Sequence, residues 1–105
     1  MKARARKNTE MTFISPGKEY EVIGIEADDF RIINNMNEPC LYDPALFELI
    51  DEAEPNFWVS EIGEDGERYA YPTSWIQPGF FEDFHDGDEK VINRFWKECR
   101  TFYEI

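Results

Sequence analysis

Apolar and charged residues alternate over Lys18-Glu19-Tyr20-Glu21-Val22-Ile23-Gly24-Ile25, which turns Tyr20, Val22 and Ile25 inward and predicts a half-buried strand. Ser15-Pro16-Gly17 ahead of it is turn chemistry, because proline fixes φ and glycine permits a positive one. Glu26-Ala27-Asp28-Asp29 reverses the chain into a second strand, Phe30-Arg31-Ile32-Ile33. A further turn at Asn34-Asn35-Met36-Asn37 leads to a short third strand, Cys40-Leu41-Tyr42. Asp43-Pro44 breaks it, and Ala45 to Ile50 reads as a helical turn running into a strand. Phe57 to Ile62 and Arg68 to Tyr71 then flank Glu64-Asp65-Gly66-Glu67, and Asp-Gly between apolar runs is a strong hairpin signal.

From Pro72 to Gly87 no period is visible, yet Trp75, Ile76, Phe80, Phe81 and Phe84 make this a packed loop rather than a linker. The last segment changes period. Val91, Ile92, Phe95, Trp96, Cys99, Phe102 and Tyr103 form one apolar stripe at i, i+3 and i+4, while Lys90, Arg94, Lys97 and Arg100 face outward. Asp88 is a suitable N-cap and Glu89 suits the first turn, so a helix is predicted from Glu89 to about Tyr103. Its apolar face is expected to pack on a β-sheet.

Short strands followed by one amphipathic helix indicate an α+β fold. The first 12 residues show no period and much charge, and are expected to form a disordered basic tail ahead of a single domain spanning 13–105. A chain of 105 residues holds one core, and nine Phe, five Tyr and three Trp supply the apolar area for it without disulfide or metal. The opening residues lack the apolar stretch of a signal peptide, and no run approaches the roughly 20 apolar residues of a membrane span. A cytoplasmic protein with reduced thiols at Cys40 and Cys99, away from membranes, is the expectation.

Charge narrows the partners. The net charge is −12, but Lys2, Arg4, Arg6 and Lys7 lie in the first seven positions. From Asn8 onward seven bases face all 23 acids, a net of −16. Ten acids and no base fall between Arg31 and Arg68. Such a field repels nucleic acid and anionic membrane and attracts basic proteins; its plainer role is to keep an aromatic-rich chain soluble.

The segment Gly17 to Asp51 carries a G-x-x-Y-x-V opening strand, an F-R-I-I strand, a Y-D-P turn and a run ending F-E-L-I-D. In this it resembles a small SH3-like barrel, and the chain is similar to small acidic bacterial proteins of the toxin-immunity type. The resemblance implies an SH3-like antiparallel β-barrel or curled sheet, extended by the hairpin and the C-terminal helix. It also implies an inhibitor that occludes a basic toxin or enzyme.

Catalytic chemistry has little to stand on. His85 lies in an acid-rich stretch, Glu82 to Glu89, that does not keep the register of a calcium loop, and one histidine cannot furnish a zinc site. Neither Ser74 nor Cys99 sits in the context of an activated nucleophile. Gly63-Glu64-Asp65-Gly66 would repel a phosphate. No enzyme activity, cofactor or metal is expected. The candidate partner-binding residues are Glu61, Glu64, Asp65 and Glu67 on the hairpin, then Glu82, Asp83, Asp86 and Asp88 on the packed loop. The alternative is an SH3-like scaffold or peptide-binding domain without a toxin partner, its groove lined by Tyr20, Tyr42, Trp58, Tyr71 and Trp75.

Overall fold

The computed structural model describes residues 1–8 and 10–105; Thr9, inside the segment expected to be a tail, lies outside the described residues. Seven antiparallel strands form one sheet: β1 (Lys2–Ala5), β2 (Glu19–Glu26), β3 (Asp29–Ile33), β4 (Pro39–Tyr42), β5 (Phe47–Asp51), β6 (Trp58–Ile62) and β7 (Arg68–Pro72). A 3₁₀ turn, Pro44–Leu46, capped by Asp43, precedes β5. Two helices follow the strands, α1 (Phe80–His85) and α2 (Glu89–Tyr103). The fold is therefore α+β, and the described helices are too short and polar to cross a membrane.

The sheet runs β4-β3-β2-β1-β5, with β7 joining β2 at Ile25–Ala70 and β6 pairing outside β7. It is not a closed barrel, but it curls. β4 and β5 are four strands apart, roughly 19 Å in a flat sheet, yet the rings of Tyr42 and Phe47 lie 6.3 Å apart. Ala3, Ala5, Tyr20, Val22, Ile25, Phe30, Ile32 and Phe47 fill the concave side.

The expected tail is corrected over its first residues. Lys2–Ala5 is a strand, hydrogen-bonded between β2 and the edge strand β5. Lys-Ala-Arg-Ala alternates with period two, and its small residues, Ala3 and Ala5, are buried. The bases end on neighbouring acids: Arg4 lies 3.5 Å from Glu19 and the N-terminal amine 3.8 Å from Glu21.

Strand β2 serves two cores because it carries a bulge. Val22 pairs with Ile32 and Gly24 with Arg31, so Ile23 is the extra residue. The shift returns Ile25 to the face of Val22 and turns Ile23 to the opposite face. There it meets Tyr71, Trp75, Phe80, Phe81, Phe95 and Cys99, which form a second core under the helices. The helix residues Phe95 and Cys99 are fully buried, and Val91 and Trp96 pack at the edge of this core. Tyr103 closes the arrangement. Its hydroxyl donates to the Ile23 carbonyl at 2.8 Å and accepts from the Trp58 indole at 2.7 Å, so helix, bulge and hairpin meet at one atom.

The loop expected from Pro72 to Gly87 contains α1. Its start, Gly79, has a left-handed φ of 85° and offers no side-chain cap, which removes the usual sequence signal for a helix start.

Candidate functional site

The hairpin β6–β7 stands out from the body. Val59 to Ile62 are exposed, and Ile62 is 67% accessible. Between this hairpin and the Trp75–Glu82 segment lies a cleft of about 350 Å³. Tyr69, Tyr71, Trp75, Phe80 and Phe81 give it aromatic walls, and Glu26, Glu61 and Glu82 bring three carboxylates to it.

The cleft is built from Gly24 outward. A Cβ at Gly24 would fall 2.0 Å from the Tyr71 ring, so only glycine lets that ring lie against the strand. The Tyr71 hydroxyl then reaches Glu26 Oε1 at 3.1 Å and accepts from Arg31 Nε at 2.9 Å. Arg31 is only 4% exposed. Its remaining nitrogens donate to the Pro39 carbonyl at 2.9 Å and to Glu26 Oε1 at 3.0 Å, and its guanidinium lies 3.9 Å over the Phe81 ring. The buried charge is thus paired, hydrogen-bonded and stacked, as burial of an ion requires. Burial pushes the Tyr71 hydroxyl well above the ordinary tyrosine range, with Arg31 opposing the shift.

The predicted acids take different roles. Glu61 and Glu82, one from each predicted cluster, line the same cleft. Glu64 and Asp65 stand exposed at the hairpin tip. Glu67 is half-buried and folds back over the turn, where it accepts from the Asp65 amide at 2.9 Å. Asp88 caps α2 through the amides of Lys90 and Val91. Asp83 is exposed beside Glu82, and Asp86 lines a neighbouring cleft of about 510 Å³ with Arg31, Leu41 and His85. Sequence reasoning missed Glu26 and Arg31 as site residues and offered Tyr71 only for a peptide groove; the unusual Arg31 between apolar neighbours in a strand was the available signal.

The other candidate chemistry is dispersed. Ser74 donates to Glu98 at 2.7 Å in a separate cleft, Cys99 is buried in the second core, and His85 borders the cleft with Asp86. Burial raises the Cys99 thiol to about 12, and burial also raises Cys40. Among the described residues no group of three or more His, Cys, Asp or Glu is arranged to hold a metal ion. The five aromatics proposed for a peptide groove divide between the two cores: Tyr20, Tyr42 and Trp58 with the first, Tyr71 and Trp75 in the second.

Basic side chains near the acids are engaged elsewhere. Arg68 grips Glu54 with two nitrogens and holds that carboxyl below its usual range, and Arg94 pairs with Glu98 at 2.9 Å. The sole buried side-chain nitrogen or oxygen without a hydrogen-bond partner, among the described residues, is Trp75 Nε1. No protein-family model matches the chain, and neither a curated protein nor a solved structure does.

Proposed function

We propose that the protein is a binding module that captures a basic protein partner on its acidic side and occludes that partner's working surface, in the manner of an immunity-type inhibitor. The observation that supports it is the cleft on which Glu61 and Glu82 converge. Neither carboxylate has a basic partner among the described residues, and both are exposed. Glu64 and Asp65 extend the same charge to the hairpin tip. Carboxylates in this arrangement would occupy sites that a basic toxin or enzyme keeps for substrate phosphates, and a field of one sign speeds encounter. On this reading the curled sheet around residues 17–51 is an SH3-like core, to which the hairpin and the helices add the binding side.

The test is capture from a lysate of the source cell on the immobilised chain, with mass identification of what is retained. A basic protein is expected on the native chain, and much less of it on a variant carrying Glu61→Gln, Glu64→Gln, Asp65→Asn and Glu67→Gln. Recovery of acidic or neutral proteins only, equally on both chains, would overturn the proposal.

A further inference from the structure

We infer that the outer edge of β6 takes up an extended, basic segment of the partner as one further strand of the sheet. The inference rests on the proposed capture of a basic protein and states how that protein is held. β6 pairs with β7 alone, and in an antiparallel pair backbone groups point alternately toward the neighbouring strand and away from it. At the turn the Gly63 amide donates to the Glu67 carbonyl at 2.8 Å, so Glu61 and Val59 are the next residues bonded to β7. Trp58, Ser60 and Ile62 therefore turn their N–H and C=O groups outward. The Trp58 amide donates to the Pro55 carbonyl at 3.2 Å. The amides of Ser60 and Ile62, and the carbonyls of all three residues, have no backbone partner among the described residues. Val59 to Ile62 are exposed, so no other part of the fold covers them.

The edges at β4 and β5 are blunted against such an addition, by devices that proteins use to keep strands from pairing with other chains. On β4, Pro39 has no N–H, and its carbonyl already accepts from Arg31 Nη1 at 2.9 Å. On β5 the register against β1 shifts, a bulge that leaves Ile50 unpaired. β6 has neither proline nor bulge, and its register with β7 runs unbroken from Trp58 to Ile62. What it carries instead is charge of one sign: Glu61 on the strand, then Glu64 and Asp65 at the hairpin tip, all exposed. An acidic strand would set its carboxylates beside Glu61, and a second copy of this chain would bring the same acids with a net charge of −12. A basic residue beside Glu61 and an apolar one beside the exposed Ile62 make favourable cross-strand pairs. Main-chain bonds then supply the grip, and the side chains the selection.

The experiment follows amide hydrogen exchange by NMR on the whole chain, titrated with a synthetic peptide of alternating valine and lysine. Two twins accompany it, one with glutamate for each lysine and one with every amide N-methylated, which keeps the charge and removes the donors. The basic peptide is expected to slow exchange at Ser60 and Ile62 saturably, while the amides of Val59 and Glu61, already bonded to β7, change little. Neither twin should do so. Ser60→Pro removes an outward N–H and no bond to β7, so the chain should stay folded and bind the basic peptide about tenfold more weakly. Ile62→Pro makes the same change one pair along the strand, and a thermal melt checks that each variant is folded. No protection at Ser60 and Ile62, or an equal effect of the methylated twin, would overturn the inference. Equal protection by the acidic twin would overturn the basic occupant, and a dimer of the free chain that Ser60→Pro dissolves would give the edge to a second copy. Protection by the basic peptide in a chain that captures no basic protein would keep the edge and refute capture. Capture undiminished in folded Ser60→Pro and Ile62→Pro variants would keep capture and refute the edge.

Discussion

Gly24 lets the Tyr71 ring lie against strand β2, where any larger residue would collide with it. The Tyr71 ring occupies the space of its missing side chain, and Tyr71 in turn positions Arg31 and Glu26. Gly24→Ala should therefore cost about 1–3 kcal/mol or more by overpacking, read as a lower denaturant midpoint. Tyr71→Phe keeps the ring but removes one acceptor from a buried guanidinium, so a loss of about 1–3 kcal/mol is expected in the same assay. Asp29 tests the electrostatics from the other side. Burial first, then Asp43, Asp28 and Glu26, raise its carboxyl above the ordinary aspartate value of 3.8. A group whose folded pKa is raised binds its proton more tightly in the folded state, so its ionisation destabilises the fold as pH rises through that folded value. Asp29→Asn should stabilise the protein at pH 7, and the gain should vanish below about pH 3.8, where the residue is protonated folded and unfolded alike. The thiols give a simpler check. With Cys99 buried and its pKa raised to about 12, a thiol reagent at neutral pH should leave Cys99 untouched until the protein unfolds and should reach the half-buried Cys40 first.

Among the elements, the most exposed to test is β1. Ala3 and Ala5 are buried in the first core, and the Ala5 amide donates to the Lys18 carbonyl at 3.0 Å. Ala3→Glu should unfold the chain, whereas a disordered tail would tolerate it; slow hydrogen exchange at Ala5 is the companion observation. This strand was the least legible part of the sequence, because alanine is weakly apolar and a poor strand former, so Lys-Ala-Arg-Ala reads as charge before it reads as alternation. The hairpin and α2 were legible because each carries a local marker, Asp65-Gly66 at the turn and Asp88 at the cap. The helix begins just after its Asp88 cap and ends with its apolar stripe at Tyr103. α1 had neither cap nor length. The cleft was legible only in part. Glu61 and Glu82 stood out as acids, but Glu26 reaches them through pairing of β2 with β7, and long-range pairing leaves no local signal.

At the scale of the whole molecule, an excess of acids does two things at once. It keeps like charges close together within the fold, so added salt at neutral pH should raise the melting temperature by screening them. On the proposed reading, it also gives the molecule a field that draws in a cation-rich surface from a distance. If this attraction serves capture, the association rate reports on it. With the partner recovered by capture, the rate should fall steeply between low and high salt for the native chain. It should be slower and less sensitive to salt for Glu61→Gln, Glu64→Gln, Asp65→Asn and Glu67→Gln combined, with dissociation much less changed. Equal association rates for the two chains at both salt concentrations would contradict the account.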